Sequence, residues 1–246
     1  MQTVNVLCIK WGRKYGPDYV NRLHSMVHRH LRRPFRFVCL CDDREGIDAS
    51  IDVRPIPPVG FDQFDNRAPW TFGHGWLKLT SFADPLYDLQ GPTLFLDLDI
   101  VIVDNIDGFF DHPGTFCVIK EWDKQDGTGN TSVYRYTIGA HADALDHLKN
   151  GYPASIADVR NEQEFITRYL GRQGKVQYWP QGWCVSFKRH CVPGGLMSWL
   201  KPPTIPPGAK IIAFHGKPNP PDAIVGVSGK WYRRVPPTPW VADHWR

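Results

Sequence analysis

Val4-Asn5-Val6-Leu7-Cys8-Ile9-Lys10-Trp11-Gly12 opens a strand–helix–strand unit whose reading decides the fold class. Val4 to Ile9 is an apolar run of the kind found in strands buried on both faces, and Lys10-Trp11-Gly12 carries the chain into a loop. Pro17 then starts a helix in which Tyr19, Val20, Leu23, Met26, Val27 and Leu31 follow a 3.6-residue period, and Pro34 ends it. Its other side, with Arg22, His28, Arg29, Arg32 and Arg33, reads as a solvated basic face. Phe35 to Cys41 is the second strand, followed by the loop Asp42-Asp43-Arg44-Glu45-Gly46. A unit of this kind predicts an α/β fold with a mainly parallel sheet and a right-handed crossover. Ligands of such sheets bind at the carboxyl ends of the strands, which places Lys10, Trp11, Tyr15 and Asp42 near a site.

The chemistry is concentrated in Thr93-Leu94-Phe95-Leu96-Asp97-Leu98-Asp99-Ile100-Val101-Ile102-Val103. Two carboxylates stand inside an otherwise apolar, strand-forming run, and an ionised carboxylate is costly to bury without compensation. In an extended segment residues i and i+2 share a face, so Asp97 and Asp99 can converge on a hard divalent cation, which in turn can hold substrate phosphates. Strand-end carboxylates that cap a turn or meet arginines are the alternative. A second cluster, Ile211-Ile212-Ala213-Phe214-His215-Gly216-Lys217-Pro218, delivers a histidine at a strand end, then a flexible glycine and a lysine. His215 can serve as a third ligand, Gly216 allows close backbone approach and Lys217 can meet a phosphate.

Between these clusters the chain is loop-rich. Residues 54–58 read as extended and Phe61 to Pro69 as a long loop. Trp76, Leu77, Leu79, Phe82 and Leu86 make a short amphipathic helix carrying Lys78. Phe116–Ile119, Asn130–Tyr136, Val176–Trp179, Val185–Phe187 and Lys210–Phe214 are predicted strands, and 141–149 and 160–170 helices. Proline-rich stretches at 202–207 and 218–221 read as loops. With no repeat and no composition break, one domain spanning 1–246 is expected, with 222–246 as a C-terminal tail.

Composition narrows the function. Lysine and arginine exceed aspartate and glutamate by 29 to 25, too small an excess for a nucleic-acid binder but suited to an anionic substrate. Six scattered cysteines, with Cys39-Leu40-Cys41 the only close pair, make no zinc site and read as reduced thiols. Neither a signal peptide nor a membrane-spanning stretch is expected, which points to a cytoplasmic protein. The tail mixes aromatic and basic residues, from Lys230-Trp231-Tyr232-Arg233-Arg234 to Trp240 and Trp245, a composition compatible with peripheral contact at the inner face of a membrane.

Phe95-Leu96-Asp97-Leu98-Asp99 resembles the Asp-x-Asp strand of nucleotide-sugar glycosyltransferases of the GT-A (Rossmann-like) fold, and Phe214-His215-Gly216-Lys217-Pro218 resembles the His-x-x-Gly-x-x-Lys-Pro segment of glycosyltransferase family 8, the glycogenin and lipopolysaccharide galactosyltransferase group. The spacing departs, because glycine and lysine here follow the histidine directly. Gly75-Trp76-Leu77-Lys78-Leu79 is similar to the helix whose basic residue meets the donor. Asn130-Thr131-Ser132-Val133 resembles the strand beside the donor sugar, with Ser132 in place of glycine. Glu162-Gln163 resembles the Asp-Gln pair near the anomeric carbon.

The resemblance implies transfer of a hexose from a UDP-sugar to a glycan, lipid-linked or protein acceptor, with retention and with Mn²⁺ (or Mg²⁺) held by Asp97, Asp99 and His215. It further implies that Lys10, Trp11, Tyr15, Asp42, Lys78, Asp97, Asn130, Ser132, Gly216 and Lys217 bind the donor, and that Gln163, Glu162 and Lys78 serve catalysis. Two other classes share features of the chain. A haloacid dehalogenase-type phosphohydrolase also carries Asp-x-Asp after an apolar strand, and a sugar-nucleotide-binding protein without turnover would keep the same pocket.

Overall fold

The computed structural model describes residues 2–60, 75–195, 197–227 and 235–246, with the main chain alone at Trp199. Its elements run β1 (Val4–Lys10), α1 (Pro17–His30), β2 (Phe35–Cys41), β3 (Asp52–Pro55), a 3-10 helix (Trp76–Phe82), β4 (Pro92–Leu96), β5 (Ile100–Ile102), α2 (Gly108–Asp111), β6 (Phe116–Lys120), β7 (Gly129–Thr137), α3 (Ala142–Gly151), a 3-10 turn (Ala154–Ile156), α4 (Glu162–Gly171), β8 (Val176–Tyr178), β9 (Cys184–Ser186), a π-helical turn (Phe187–Cys191), α5 (Met197–Leu200), β10 (Ile211–Ala213), α6 (Pro220–Val225) and α7 (Pro239–His244).

The expected mixed, mainly parallel sheet is present. Seven strands lie in the order β3-β2-β1-β4-β7-β6-β8, all in one direction except β7, which runs antiparallel to both neighbours. β1 is buried along its whole length, and its alternation feeds two cores. Val6 and Cys8 pack in one core with Val20, Leu23 and Met26 of α1. Leu7 and Ile9 pack in the other with Trp76, Leu79, Phe82 and Leu148. Asn5, the polar residue within the apolar run of β1, is satisfied by the Gln90 carbonyl (2.8 Å) and Thr93 Oγ1 (3.1 Å). β5, β10 and β9 form a second, three-stranded sheet. The chain leaves β1 for β2 on one side and returns to β4 on the other, so the order reverses between β1 and β4, where an open α/β sheet places its ligand crevice.

Several expectations change. The aspartate run is two strands in different sheets rather than one. β4 ends at Leu96, Asp97 N donates to the Ser132 carbonyl (2.9 Å), Leu98 and Asp99 turn, and Ile100 starts β5. A buried Leu98 anchors that turn without glycine or proline. Residues 76–82 form a 3-10 rather than an α-helix, and Leu86 lies beyond it. The prolines at 218–221 are not all loop, because Pro220 opens α6 behind a capping box of Asn219 and Asp222.

The basic face of α1 is not simply solvated. Arg22 donates to the Trp245 carbonyl (2.7 Å) and stacks on its ring, Arg29 reaches the carbonyls of His244 and Arg246, and Arg33 pairs with Asp107 and Asp111. Trp245 is 3% exposed, so it is packed into the protein and is not free for a membrane. Lys230 to Arg234, and the loop expected at 61–69, lie outside the described residues. No described helix is long and apolar enough to cross a membrane, and all six cysteines are free thiols.

Candidate active site

A cleft of about 720 Å³ opens at the carboxyl ends of the parallel strands, over the β1–β4 reversal. The topology explains its lining. Lys10 and the loop Trp11–Tyr15 follow β1, Asp97 and Asp99 follow β4, and Glu121, Asp123 and Lys124 follow β6. The antiparallel β7 begins at the same edge, so Asn130 and Ser132 stand there too. Glu162 and Gln163 start α4, whose N-cap Asn161 accepts from Glu164 N (3.0 Å). His215 and Gly216 follow β10 of the second sheet, and Arg189 comes from the π-helical turn after β9.

The floor is a buried charge cluster. Lys78 Nζ sits 2.8 and 2.9 Å from the two Asp97 oxygens and 3.7 Å from Glu162 Oε1, with the Thr131 carbonyl at 3.4 Å. Burial disfavours the ammonium, but Asp97 and Glu162 outweigh it and hold Lys78 above the usual lysine range. Glu162 is fully buried. Burial raises its carboxyl and the nearby Asp97 charge adds to that, with Lys78 opposing. Glu162 also needs the space beside Gly75, whose φ of 79° favours glycine and where a Cβ would stand 3.0 Å from Glu162 Oε1.

Asp99 accepts a 2.6 Å hydrogen bond from Tyr15 OH. Burial, then the Asp97 charge, pushes Asp99 up to about 6, and the same surroundings, burial first and then Asp99, push the Tyr15 phenol far above its ordinary range. The carboxylate pair is thus short of positive charge even with Lys78 and Tyr15 in place. Two oxygen-ligand side chains facing one cleft suit a hard divalent cation. His215 does not complete the set as expected. Its Nε2 is hydrogen-bonded to Ser186 Oγ (2.6 Å), and among the described residues no three His, Cys, Asp or Glu side chains converge as metal ligands.

The opposite wall is basic. His215 stacks on Trp122 (ring centroids 5.6 Å apart), and its carbonyl accepts from Lys188. Burial, followed by Lys188, Arg189 and His190, pushes its imidazole down to about 4, so it is neutral at pH 7. Arg189 pairs with Asp123 across the rim.

Most residues predicted for the site line this cleft: Lys10, Trp11, Tyr15, Lys78, Asp97, Asp99, Asn130, Ser132, Glu162, Gln163, His215 and Gly216. Two do not. Lys217 is exposed and outside the lining, because it follows Gly216 (φ 70°) where the chain turns away from the β10 direction. Asp42 is also outside; it accepts from Gly12 N (2.8 Å) and faces Lys10 Nζ at 3.9 Å, so it shapes the loop after β1. Asn130 is already engaged, through Glu121 Oε2 (3.2 Å) and Ser132 N (3.0 Å). The sequence reading missed Lys14, Glu121, Asp123, Lys124, Asn161 and Arg189. Glu121 to Lys124 were detectable by the rule that located Lys10, since they follow a parallel strand. Arg189 carried no such signal.

This architecture is the GT-A glycosyltransferase fold. The galactosyltransferase LgtC, solved in complex with donor and acceptor sugar analogues, superposes with a TM-score of 0.57 over 88% of each chain at 13% identity. No protein-family model matches the chain, and no curated protein matches it in sequence.

Proposed function

We propose that the chain is a glycosyltransferase that moves a sugar from a nucleoside diphosphate donor to an acceptor hydroxyl. The observation that carries this reading is the buried Lys78–Asp97–Glu162 cluster beside Asp99, set at the strand-order reversal of a GT-A sheet. A carboxylate pair left short of positive charge, facing a cleft with basic walls, fits a ligand that brings a cation and phosphates together. Asp97 and Asp99 would hold a divalent cation, Mn²⁺ or Mg²⁺, together with the donor phosphates. Bound there, the ion would supply Lewis-acid stabilisation of the leaving diphosphate.

The rest falls to the protein. Lys10, Trp11 and Tyr15 line the cleft and would take the base and ribose. Lys78 holds both oxygens of Asp97 and so orients it. Gln163, half-buried at the first turn of α4, lines the cleft and would meet the sugar, where charge would develop at the anomeric carbon. Glu162 backs Lys78 from beneath. A UDP-hexose donor, retention of configuration and membership of family 8 rest on the motif resemblance. The acceptor is a glycan, a lipid-linked sugar or a protein. The phosphohydrolase alternative is disfavoured, because Lys78 grips both oxygens of the aspartate that would be its nucleophile.

The test is donor turnover and transfer with UDP-glucose and UDP-galactose, with and without Mn²⁺, across an acceptor panel. Release of UDP that requires the ion and is lost in Asp97→Asn supports the proposal. Nucleotide binding without turnover on any acceptor would instead leave a binding protein.

A further inference from the structure

Resting on that reading, a nucleoside diphosphate in the cleft needs cations that can turn toward it. Lys10, Arg13, Lys14, Lys78, Lys124 and Arg189 line the cleft. Lys78 is committed to Asp97 and Glu162, and Lys124 to the buried Glu164 (2.7 Å). Lys10 faces Asp42, Lys14 lies over the Tyr15 ring (4.7 Å), and the exposed Arg13 belongs to the same loop after β1, which the proposed reading gives to the base and ribose.

Arg189 is placed differently. Its partner Asp123 also borders the cleft, and the two side chains are 44% and 45% exposed. An exposed pair is weak and exchanges readily for a stronger anion, and a guanidinium fork matches phosphate geometry.

The fold aims this residue. β9 and β10 run parallel with Ser186 opposite Ala213, so the following residues, Lys188 and Arg189, come beside His215 and Gly216. The π-helical turn is closed by Val192 N to the Phe187 carbonyl (3.1 Å) and pinned by Ser186 N to His190 Nδ1 (3.0 Å). Such turns are frequent at functional sites. A Cβ on Gly216 would lie 3.6 Å from Lys188 Nζ, an ordinary contact distance that puts the lysine directly beside this cleft-lining glycine. Lys217, meanwhile, is exposed and outside the cleft lining.

We propose that Arg189, with Lys188 behind it, makes the cationic contact to the donor diphosphate that the sequence assigns to Lys217. Calorimetric titration of the full chain with UDP and with uridine, in Mn²⁺, tests this. Arg189→Gln is expected to weaken UDP by about tenfold or more and leave uridine within about twofold, Arg189→Lys to recover part of the loss, and Lys217→Gln to leave both within about twofold. Arg189 is exposed, so the variants should fold, and their melting temperatures check it. Unchanged UDP affinity in Arg189→Gln, an equal loss for uridine, or a loss confined to Lys217→Gln overturns the assignment. If the wild-type chain binds UDP no better than uridine, the sugar-nucleotide reading itself falls, and this assignment with it.

Discussion

Replacing Lys78 by methionine keeps the volume and the flexible stem but removes the charge on which the floor of the cleft depends. Lys78 Nζ lies 2.8 Å from Asp97 and 3.7 Å from Glu162. At an effective dielectric of about 20, unit charges at those separations attract by roughly 6 and 4 kcal/mol, and stripping water from the groups costs several kcal/mol in return. Removing one partner of such a buried pair typically costs about 3–5 kcal/mol. Asp97 keeps 18% of its side chain exposed and can recover some hydration, so we expect the lower end, about 3 kcal/mol. For a chain of this length that is a fall in Tm of roughly 6–12 °C. The pH dependence gives a second check. Glu162 and Asp99 already have raised pKa values in the folded state, and loss of Lys78 raises them further. A carboxyl with a raised folded pKa destabilises fully above that value, and the penalty fades as pH falls toward its unfolded value near 4. The Tm deficit of Lys78→Met should therefore be largest at pH 7.5 and shrink by pH 4.5, and adding Glu162→Gln should restore part of it. Thermal melts of the three proteins at both pH values decide it. A Tm within about 2 °C of wild type at pH 7.5, or a deficit that widens on acidification, would refute the view that Lys78 neutralises the cluster.

Further outcomes follow from the same geometry. Asp99→Asn removes a carboxylate that burial and Asp97 push up to about 6, so it should raise Tm at pH 7.5 but not at pH 4.5, and it should abolish the gain in nucleotide affinity from Mn²⁺; scanning fluorimetry and calorimetry read both. Gln163→Ala should lower kcat while leaving donor Kd nearly unchanged, because its contact matters chiefly in the transition state; steady-state kinetics beside direct titration separates the two. Trp245→Ala, which empties a packed site beneath Arg22, should cost about 3–5 kcal/mol in urea unfolding, far more than an interfacial membrane anchor would.

Much of the fold was legible because the strands are buried on both faces and bounded by loops. β1, α1 and β2 match their predicted ranges closely, since apolar runs and a 3.6-residue period are local signals. The break at Asp97–Asp99 was not legible, because no glycine or proline marks it. It is imposed by pairing, when Asp97 N bonds to Ser132 and Ile100 pairs with Ala213. The basic face of α1 was misread for the same reason. Its partners are the carbonyls of His244, Trp245 and Arg246, more than two hundred residues away, and backbone carbonyls have no sequence signature. At the site, sequence found what lies at strand ends and helix starts. It named Lys217 from a motif read as a line of residues and did not consider Arg189; Lys217 follows Gly216 (φ 70°) and lies outside the cleft lining.

The cleft divides its charge in a way that bears on how a diphosphate could both bind and leave. Asp97, Asp99 and Glu162 gather on the β4–α4 side around a single buried ammonium. Lys188, Arg189 and His190 gather on the β9–β10 side, where burial first and then their charges keep His215 neutral. The acidic side can take a cation only if something anionic or solvating accompanies it, and the basic side can take phosphate only by releasing Asp123. A metal–nucleotide complex satisfies both walls at once, whereas either component alone satisfies one. The two should therefore bind cooperatively, with each raising the affinity of the other by the same factor. In the proposed reaction the charge on the released diphosphate would be greater than on the donor, so the basic wall would meet the product more strongly than the substrate. Stabilisation that grows along the reaction is what accelerates it. On that proposal, product release would be the step most sensitive to the Arg189–Asp123 pair, because Asp123 already partners the guanidinium and would reclaim it when the diphosphate departs.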